Sequence, residues 1–117
     1  MVERNPGQIV LFKFPQTNLV VGKLRPALLI KQVSSDYRNC LTCMISAKTE
    51  QEVANLDNII AMTDEDFVQS GLKSSSVFRL TRLAVIAASV PIGVIGEVSQ
   101  ERLILIRRKL ARWIEDE

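Results

Sequence analysis

The basic turn Lys23-Leu24-Arg25-Pro26 is the segment of this 117-residue chain that is best suited to hold a phosphate group. Arg25 lies where a long, mostly uncharged stretch meets an apolar run, and Pro26 restricts the backbone directly behind it. A guanidinium is always charged and can bind two phosphate oxygens at once, which suits a phosphoryl transition state. The alternative interpretation is an ordinary loop arginine in a surface salt bridge.

Other side chains could join Arg25 only if the fold brings them together. Ser46 ends an apolar run and Lys48 follows it, while Arg79 and Arg82 lie on or beside a predicted strand edge. The chain has no histidine, which removes the commonest general acid–base residue and the Ser–His and Cys–His arrangements. Its five glycines are scattered, so no glycine-rich phosphate loop is present.

Two patterns that could suggest metal or redox chemistry have simpler explanations. Cys40 and Cys43 form a C-x-x-C motif, but with no further Cys and no His a four-ligand zinc site cannot be assembled within one chain. The motif lies in a predicted strand, where residues three apart point to opposite faces, so we expect the thiols not to meet. Asp64, Glu65 and Asp66 could be a metal site, but acids in the first turn of a helix are favoured by the helix dipole, and we prefer that interpretation.

Short strands are the main elements that must position these residues. Runs of β-branched and apolar residues bounded by turn residues predict strands, and a polar segment at 48–55 could hold one helical turn. The predicted strands cover residues 8–14, 26–33, 39–46, 56–62, 75–80 and 84–95.

Two helices complete the prediction. Thr63 is predicted to cap a short helix that Gly71 closes, and Ser99 is predicted to cap a terminal helix. An apolar stripe at three- and four-residue steps should seat the terminal helix on the sheet, whereas its basic face should be solvated or, alternatively, bind nucleic acid. The stripe comprises Leu103, Ile106, Leu110 and Trp113, and the basic face comprises Arg102, Arg108, Lys109 and Arg112.

Composition sets the class of protein. An apolar content of 47% over 117 residues indicates one globular domain at 1–117, and a net charge of +2 permits nucleic-acid binding without demanding it. The polar N-terminus lacks a signal-peptide core and the longest apolar run is too short to span a bilayer, so we expect a soluble, cytoplasmic protein. The elements predict an α+β, mostly β fold: a small barrel of antiparallel strands with a C-terminal helix.

Six segments in order resemble successive blocks of the MazF/PemK toxins. They are Gly-Gln-Ile-Val-Leu-Phe-Lys-Phe-Pro at 7–15, Lys-Leu-Arg-Pro-Ala-Leu-Leu-Ile at 23–30, Met-Ile-Ser-Ala-Lys at 44–48, Ser-Gly-Leu-Lys at 70–73, Ser-Val-Phe-Arg-Leu at 76–80 and Ile-Gly-Val-Ile-Gly at 92–96. The likeness spans roughly residues 7–114. It implies an SH3-like barrel that forms a homodimer and is inhibited by a cognate antitoxin, with DNA binding by the toxin–antitoxin complex.

The same resemblance implies a metal-independent endoribonuclease, an mRNA interferase without cofactors. In that family the 2′-hydroxyl of single-stranded RNA attacks the neighbouring phosphate, leaving a 2′,3′-cyclic phosphate and a 5′-hydroxyl. Arg25 matches the catalytic arginine, and Ser46 takes the place of the usual catalytic threonine. The residues that the resemblance implies in RNA binding are Lys23, Lys48, Arg79, Thr81 and Arg82.

Some positions depart from the family pattern. The histidine that some members carry in the first loop is absent, and Thr81 stands where others have an acidic residue. These departures leave the general acid and base unassigned. They support an alternative, a toxin-like binding module of the gyrase-poison or protein-docking kind, in which the apolar loop at 18–21 binds a partner through Leu19 and Val20.

Overall fold

The computed structural model describes residues 5–13, 24–34 and 38–116, and the predicted site residues Lys23, Leu19 and Val20 lie outside them. The described elements are two helices, one 3-10 turn and six strands. The helices are α1 (Phe67–Ser70) and α2 (Gln100–Glu115), and the 3-10 turn is Thr49–Gln51. The strands are β1 (Gln8–Lys13), β2 (Leu24–Ser34), β3 (Asn39–Ser46), β4 (Asn58–Ile60), β5 (Ser76–Ala87) and β6 (Gly93–Glu97).

The strands form one antiparallel sheet in the order β4-β5-β3-β2-β1-β6, curled into a half-barrel with α2 packed on it. This architecture confirms the predicted α+β, mostly β class with a C-terminal helix. β2 is apolar on both faces because it lies inside the sheet with both faces covered, and residues 27–30 are buried as the sequence predicts.

The prediction of two strands at 75–80 and 84–95 was wrong. Residues 76–87 form one continuous strand, and the chain instead turns at 88–92 before β6. The turn contains Pro91, which cannot donate to a ladder, and its backbone is closed by Val90 N–H donating to the Ala87 carbonyl at 3.0 Å. β5 passes through the predicted break because the strand bulges there instead of ending.

The two faces of the sheet have different cores. The larger core lies under α2 and contains Cys43 with the helix residues Leu103, Ile106 and Leu110, whereas Cys40 belongs to a smaller core on the other face. The thiols therefore do not meet, as predicted, and burial raises the pKa of both. Trp113 departs from the predicted stripe: it is half-exposed.

The helix termini match the predictions in part. Ser99 Oγ accepts from the Arg102 backbone N–H at 3.1 Å and caps α2, and Gly71 ends α1 at φ +75°. The predicted cap at Thr63 was wrong, because α1 begins only at Phe67, after Asp66. The three acidic residues precede the helix instead of forming its first turn, as was predicted, and hydrogen bonds from Arg102 of α2 hold Asp64 and Asp66 there.

Candidate functional site

Strand pairing places Arg25 and Ser46 next to each other in the sheet. Ala27 of β2 is paired with Met44 of β3, and continuing this antiparallel register by two residues brings Arg25 opposite Ser46. Directly opposite residues of antiparallel strands project from the same face. The register therefore aligns a guanidinium and a hydroxyl on one face at the same end of two neighbouring strands.

Arg79 of β5 projects from this same face. Met44 is paired with Ala27 on one side and with Arg79 on the other, so these three side chains form a row across β2, β3 and β5. Arg25 lies two residues from Ala27 and Ser46 two residues from Met44, in the adjacent row. β2, which carries Arg25, and β5, which carries Arg79, are two strand spacings apart, or roughly 10 Å. Extended arginine side chains on these two strands can reach neighbouring phosphates of one RNA strand.

Arg25 is a strand residue rather than a loop residue, because β2 begins at Leu24. It is partly exposed and is paired with Phe12 of β1. The ion pairs that Arg102 forms with Asp64 and Asp66 do not involve Arg25. The surface salt bridge that was the alternative interpretation of Arg25 is therefore not formed with a described carboxylate.

Ser46 is oriented by the turn that follows β3. Its Oγ accepts a hydrogen bond from the Lys48 backbone N–H at 3.1 Å, so the hydroxyl proton remains able to point towards a ligand oxygen. Lys48 itself is exposed at the end of the same strand. The arrangement supplies a neutral donor and a cation close to Arg25, which suits an anionic ligand.

A cavity of about 540 Å³ opens at this end of the barrel. Arg25 and Ser46 both line it, together with Lys73, Ser74 and several apolar residues. The volume lies within the usual range of ligand pockets, roughly 300–1,000 Å³. The apolar lining residues include Leu11, Leu24, Ile45, Leu72 and Ile95.

The Arg79 guanidinium is only partly satisfied. Its Nη1 donates to Gln51 Oε1 at 3.2 Å, whereas its Nε is buried and has no hydrogen-bond partner among the described residues. Thr81 and Arg82 follow in the bulge of β5 and are exposed, and neither lines the cavity. The structure thus groups Arg25 with Ser46, places Arg79 beside them, and leaves Thr81 and Arg82 at the periphery.

Three of the residues around this site were not among those that sequence reasoning selected. Lys73 and Ser74 line the cavity, and Gln51 contacts Arg79. The block at 70–73 carried a signal for Lys73, since it matches the family pattern, but a lone surface lysine has no distinctive spacing. Gln51 had no signal, because its partner lies 28 residues away.

The predicted basic face of α2 must be corrected at Arg102. Its side chain is only 12% exposed, and the guanidinium donates to Asp66 at 2.8 Å and to Asp64 at 2.9 Å. Backbone and side-chain hydrogen bonds from Ala61 and Arg102 lower the pKa of Asp64. Burial alone would raise the pKa of Asp66, but hydrogen bonds from Arg102 and Ser99 outweigh it and lower that pKa.

The acidic turn therefore serves to anchor α2, and Arg102 is not available to nucleic acid. Lys109 is also engaged, because its Nζ donates to the Asp57 carbonyl at 2.9 Å. Arg108 and Arg112 are exposed, as the prediction of a solvated face requires. Arg25, Arg79 and Lys48 are the described cationic side chains that lie at the β2–β3–β5 end of the sheet.

The fold and this site define a small β-barrel protein with an arginine–hydroxyl pair facing a cavity. A family model described as the PemK-like, MazF-like toxin of type II toxin–antitoxin systems matches residues 5–114. The chain belongs to this family. No curated protein matches the chain.

Solved structures with the same fold include two toxins of low sequence identity. One is the Mycobacterium tuberculosis toxin MazF-mt6, with a TM-score of 0.67, 13% identity, and coverage of 94% of this chain and 98% of that one. Another is described as an endoribonuclease in complex with its cognate antitoxin from a mycobacterial species, with a TM-score of 0.63, 12% identity, and coverage of 96% and 95%. At these identities the likeness establishes the fold. Among the described helices, none is long and apolar enough to cross a membrane.

Proposed function

We propose that this toxin is a metal-independent endoribonuclease that cleaves single-stranded RNA, including mRNA. The observation that carries the proposal is that Arg25 and Ser46, on neighbouring strands, line one cavity, with Arg79 in the adjacent row of the same sheet. A permanently charged guanidinium and a hydroxyl group can both donate hydrogen bonds to the oxygens of a phosphodiester. The structural neighbour described as an endoribonuclease adds support for the same activity in this chain.

In the proposed reaction the RNA supplies its own nucleophile. The 2′-hydroxyl loses its proton and its oxygen bonds to the adjacent phosphorus, while the bond to the 5′-oxygen breaks and that oxygen takes up a proton. The products are a 2′,3′-cyclic phosphate and a 5′-hydroxyl. Arg25 and Ser46 stabilise the negative charge that grows on the non-bridging oxygens, an effect that often contributes most to such rate enhancements.

The remaining cations bind the flanking RNA. Arg79 holds a neighbouring phosphate, while Lys48 and Arg82 extend the positive surface, and Thr81 offers a hydroxyl. Contacts of this kind make the affinity for RNA fall with added salt. Binding releases cations from the RNA phosphates, and this release is less favourable when the salt concentration is high. Lys23 belongs to the same basic segment as Arg25 in the sequence.

The family and the antitoxin-bound neighbour support a cognate antitoxin as the protein partner. We further propose that the toxin acts as a cytoplasmic homodimer, that the antitoxin covers the RNA site, and that the toxin–antitoxin complex binds DNA. Leu19 and Val20 are the candidate contacts for a protein partner, because an apolar pair inside a polar segment suits protein docking.

The test compares purified wild-type protein with Arg25→Ala on single-stranded RNA in excess chelator. Wild type should generate fragments with 5′-hydroxyl ends, and Arg25→Ala should lower the rate at least about 100-fold without changing the circular dichroism spectrum. Arg108→Ala is the matched control, since it removes an exposed arginine of α2 far along the chain from the cavity. Wild type that leaves RNAs of varied sequence intact, or Arg25→Ala that cleaves normally, would refute the proposal.

A second function, a binding module without turnover, is favoured by one observation: the chain has no histidine and Thr81 replaces an acid. Alanine substitutions at Leu19 and Val20 discriminate between the two. If the protein is a binding module, partner binding should be lost and no RNA cleavage should be seen in either form. If it is a ribonuclease, cleavage should persist in the variant.

A further inference from the structure

The bulge in β5 lies directly after Arg79. Met44 of β3 is paired with Arg79, but the preceding β3 residue, Cys43, is paired with Leu83, so the ladder skips residues 80–82. The backbone N–H of Leu80 therefore turns to a side chain and donates to Asp57 Oδ1 at 2.8 Å. At this point a buried carboxylate accepts the hydrogen bond that a carbonyl of a neighbouring strand would otherwise accept.

The other oxygen of the same carboxylate holds a second segment. Asp57 Oδ2 accepts from the Val53 backbone N–H at 2.9 Å, and the Asp57 backbone N–H donates back to the Val53 carbonyl at 3.0 Å. Asp57 is fully buried. An ionised carboxylate only accepts hydrogen bonds, so each of its two oxygens is committed to a different stretch of backbone.

These two stretches are the ones that determine where Arg79 points. Leu80 follows Arg79 directly, and Val53 follows, by two residues, the Gln51 whose Oε1 accepts from Arg79 Nη1. We propose that Asp57 is a positioning residue for Arg79: it fixes the backbone on both sides of the Arg79–Gln51 hydrogen bond. The proposal rests on the proposed function, in which Arg79 binds RNA phosphate.

The state of the guanidinium makes this positioning consequential. Arg79 Nε is buried without a partner among the described residues, and the hydrogen bond to Gln51 lies on an exposed side chain. Few contacts therefore restrain the guanidinium directly, and its direction depends on the backbone that Asp57 holds. A displacement of about 1 Å in a group that positions the substrate can lower a rate about 100-fold.

Asp57→Asn tests this idea with almost no change in shape. The amide keeps one acceptor oxygen but presents its NH₂ group to the second backbone N–H, so one of the two hydrogen bonds from Val53 and Leu80 must break. We expect kcat/KM for RNA cleavage to fall by about tenfold or more. Asp64→Asn is the matched control, because that carboxylate also accepts a backbone N–H, from Ala61, but contacts neither Arg79 nor Gln51.

A double mutant separates positioning from general destabilisation. If Asp57 acts through Arg79, the variant carrying Asp57→Asn and Arg79→Ala should be no less active than Arg79→Ala alone. If Asp57 only stabilises the fold, the two losses should multiply. Multiplicative losses in variants that stay folded would overturn the proposal.

A second measurement does not need catalysis. The ¹⁵N–¹H resonance of Arg79 Nε, assigned with Arg79→Lys, should shift or broaden in Asp57→Asn and stay in place in Asp64→Asn. An unchanged resonance in folded Asp57→Asn would refute the positioning role even if the wild type is an active nuclease. A wild type without RNA cleavage would instead refute the proposed function and leave this readout to decide the role of Asp57.

If Asp57→Asn does not fold, the donor can be removed instead of the acceptor. Replacing Leu80 by its α-hydroxy acid analogue removes the backbone N–H that donates to Asp57 Oδ1 and leaves every side chain unchanged. The Arg79 Nε resonance should then shift in the same way. A folded ester analogue with an unshifted resonance would also overturn the inference.

Discussion

Replacing Arg102 by methionine should destabilise the fold by about 3–5 kcal/mol, because it breaks a buried ion pair from one side. Arg102 donates to both oxygens of Asp66, at 2.8 Å and 3.0 Å, and its Nη1 donates to Asn58 Oδ1 at 2.7 Å and to the Ile59 carbonyl at 3.0 Å. The side chain of Asp66 is only 5% exposed, so its charge would remain buried and unpaired. The pair with Asp64, whose side chain is 38% exposed, is the weaker of the two because solvent screens it.

The assay is chemical and thermal unfolding of purified protein followed by circular dichroism. For a chain of this length each kcal/mol corresponds to roughly 4 °C in Tm, so Arg102→Met should unfold about 12–20 °C lower than wild type. Arg108→Met, which removes an exposed arginine from the same helix, should stay within about 0.5 kcal/mol of wild type. A loss below about 1 kcal/mol for Arg102→Met would refute the role of the buried pair.

The same variant has a signature in acid. The folded-state pKa of both Asp64 and Asp66 is lowered, so their contribution to stability is fully present above the unfolded pKa of about 3.9. It is lost as the pH falls through the lowered folded-state values. Without Arg102 the pKa of Asp66 is lowered less, because only the hydrogen bonds from Ser99 then oppose the effect of burial. Arg102→Met should therefore lose less stability than wild type between pH 5 and pH 2, measured by urea unfolding.

Three further outcomes are expected at other points of the structure. Ser46→Ala should lower RNA cleavage about tenfold, whereas Ser46→Thr should retain it, because one hydrogen bond to a charged oxygen is lost only in the first. Gly71→Ala should destabilise the protein by about 3 kcal/mol or more in urea unfolding, since φ is +75° and the new Cβ would clash with the Ile95 carbonyl. A smaller loss would contradict the close approach of Gly71 to Ile95. Cys43 should react with a thiol reagent at pH 8 at least about 100-fold more slowly in the native than in the unfolded protein, because it is fully buried and its pKa is raised. Rapid labelling of the native protein would show that this core opens.

Local patterns in the sequence predicted most of the fold. The apolar run at 27–30 identified the buried centre of β2, and the helical spacing of Leu103, Ile106 and Leu110 identified the buried face of α2. Ser99 and Gly71 marked helix termini because capping depends on residues a few positions apart. These features are short-range, so one sequence carries them.

The features that could not be predicted depend on distant partners. Arg102 had the spacing of a solvated residue, and only folding reveals that Asp66 and Asp64 lie against it from 36 and 38 residues away. In the bulge of β5, the backbone N–H of Leu80 likewise donates to Asp57, which lies 23 residues away. Because such contacts leave no periodic trace, the strand was predicted to break where it bulges.

The candidate site shows the same division. Arg25 and Ser46 were selected from their positions in the sequence and given catalytic roles by the resemblance, and the structure shows that both line one cavity. Arg79 and Lys48 lie close by on the same sheet end, but Thr81 and Arg82 are turned into the exposed bulge. Sequence spacing could not separate these groups, since the bulge at 80–82 interrupts the regular alternation of β5.

The position of α2 has a consequence for how the toxin matures during synthesis. The helix supplies three residues of the larger core and the one guanidinium that neutralises the acidic turn among the described residues. Every strand of the sheet precedes it in the chain, so the ribosome releases the sheet before its covering helix. The large core beneath the sheet can therefore close only after α2 has been translated, so the barrel that carries Arg25 is completed last.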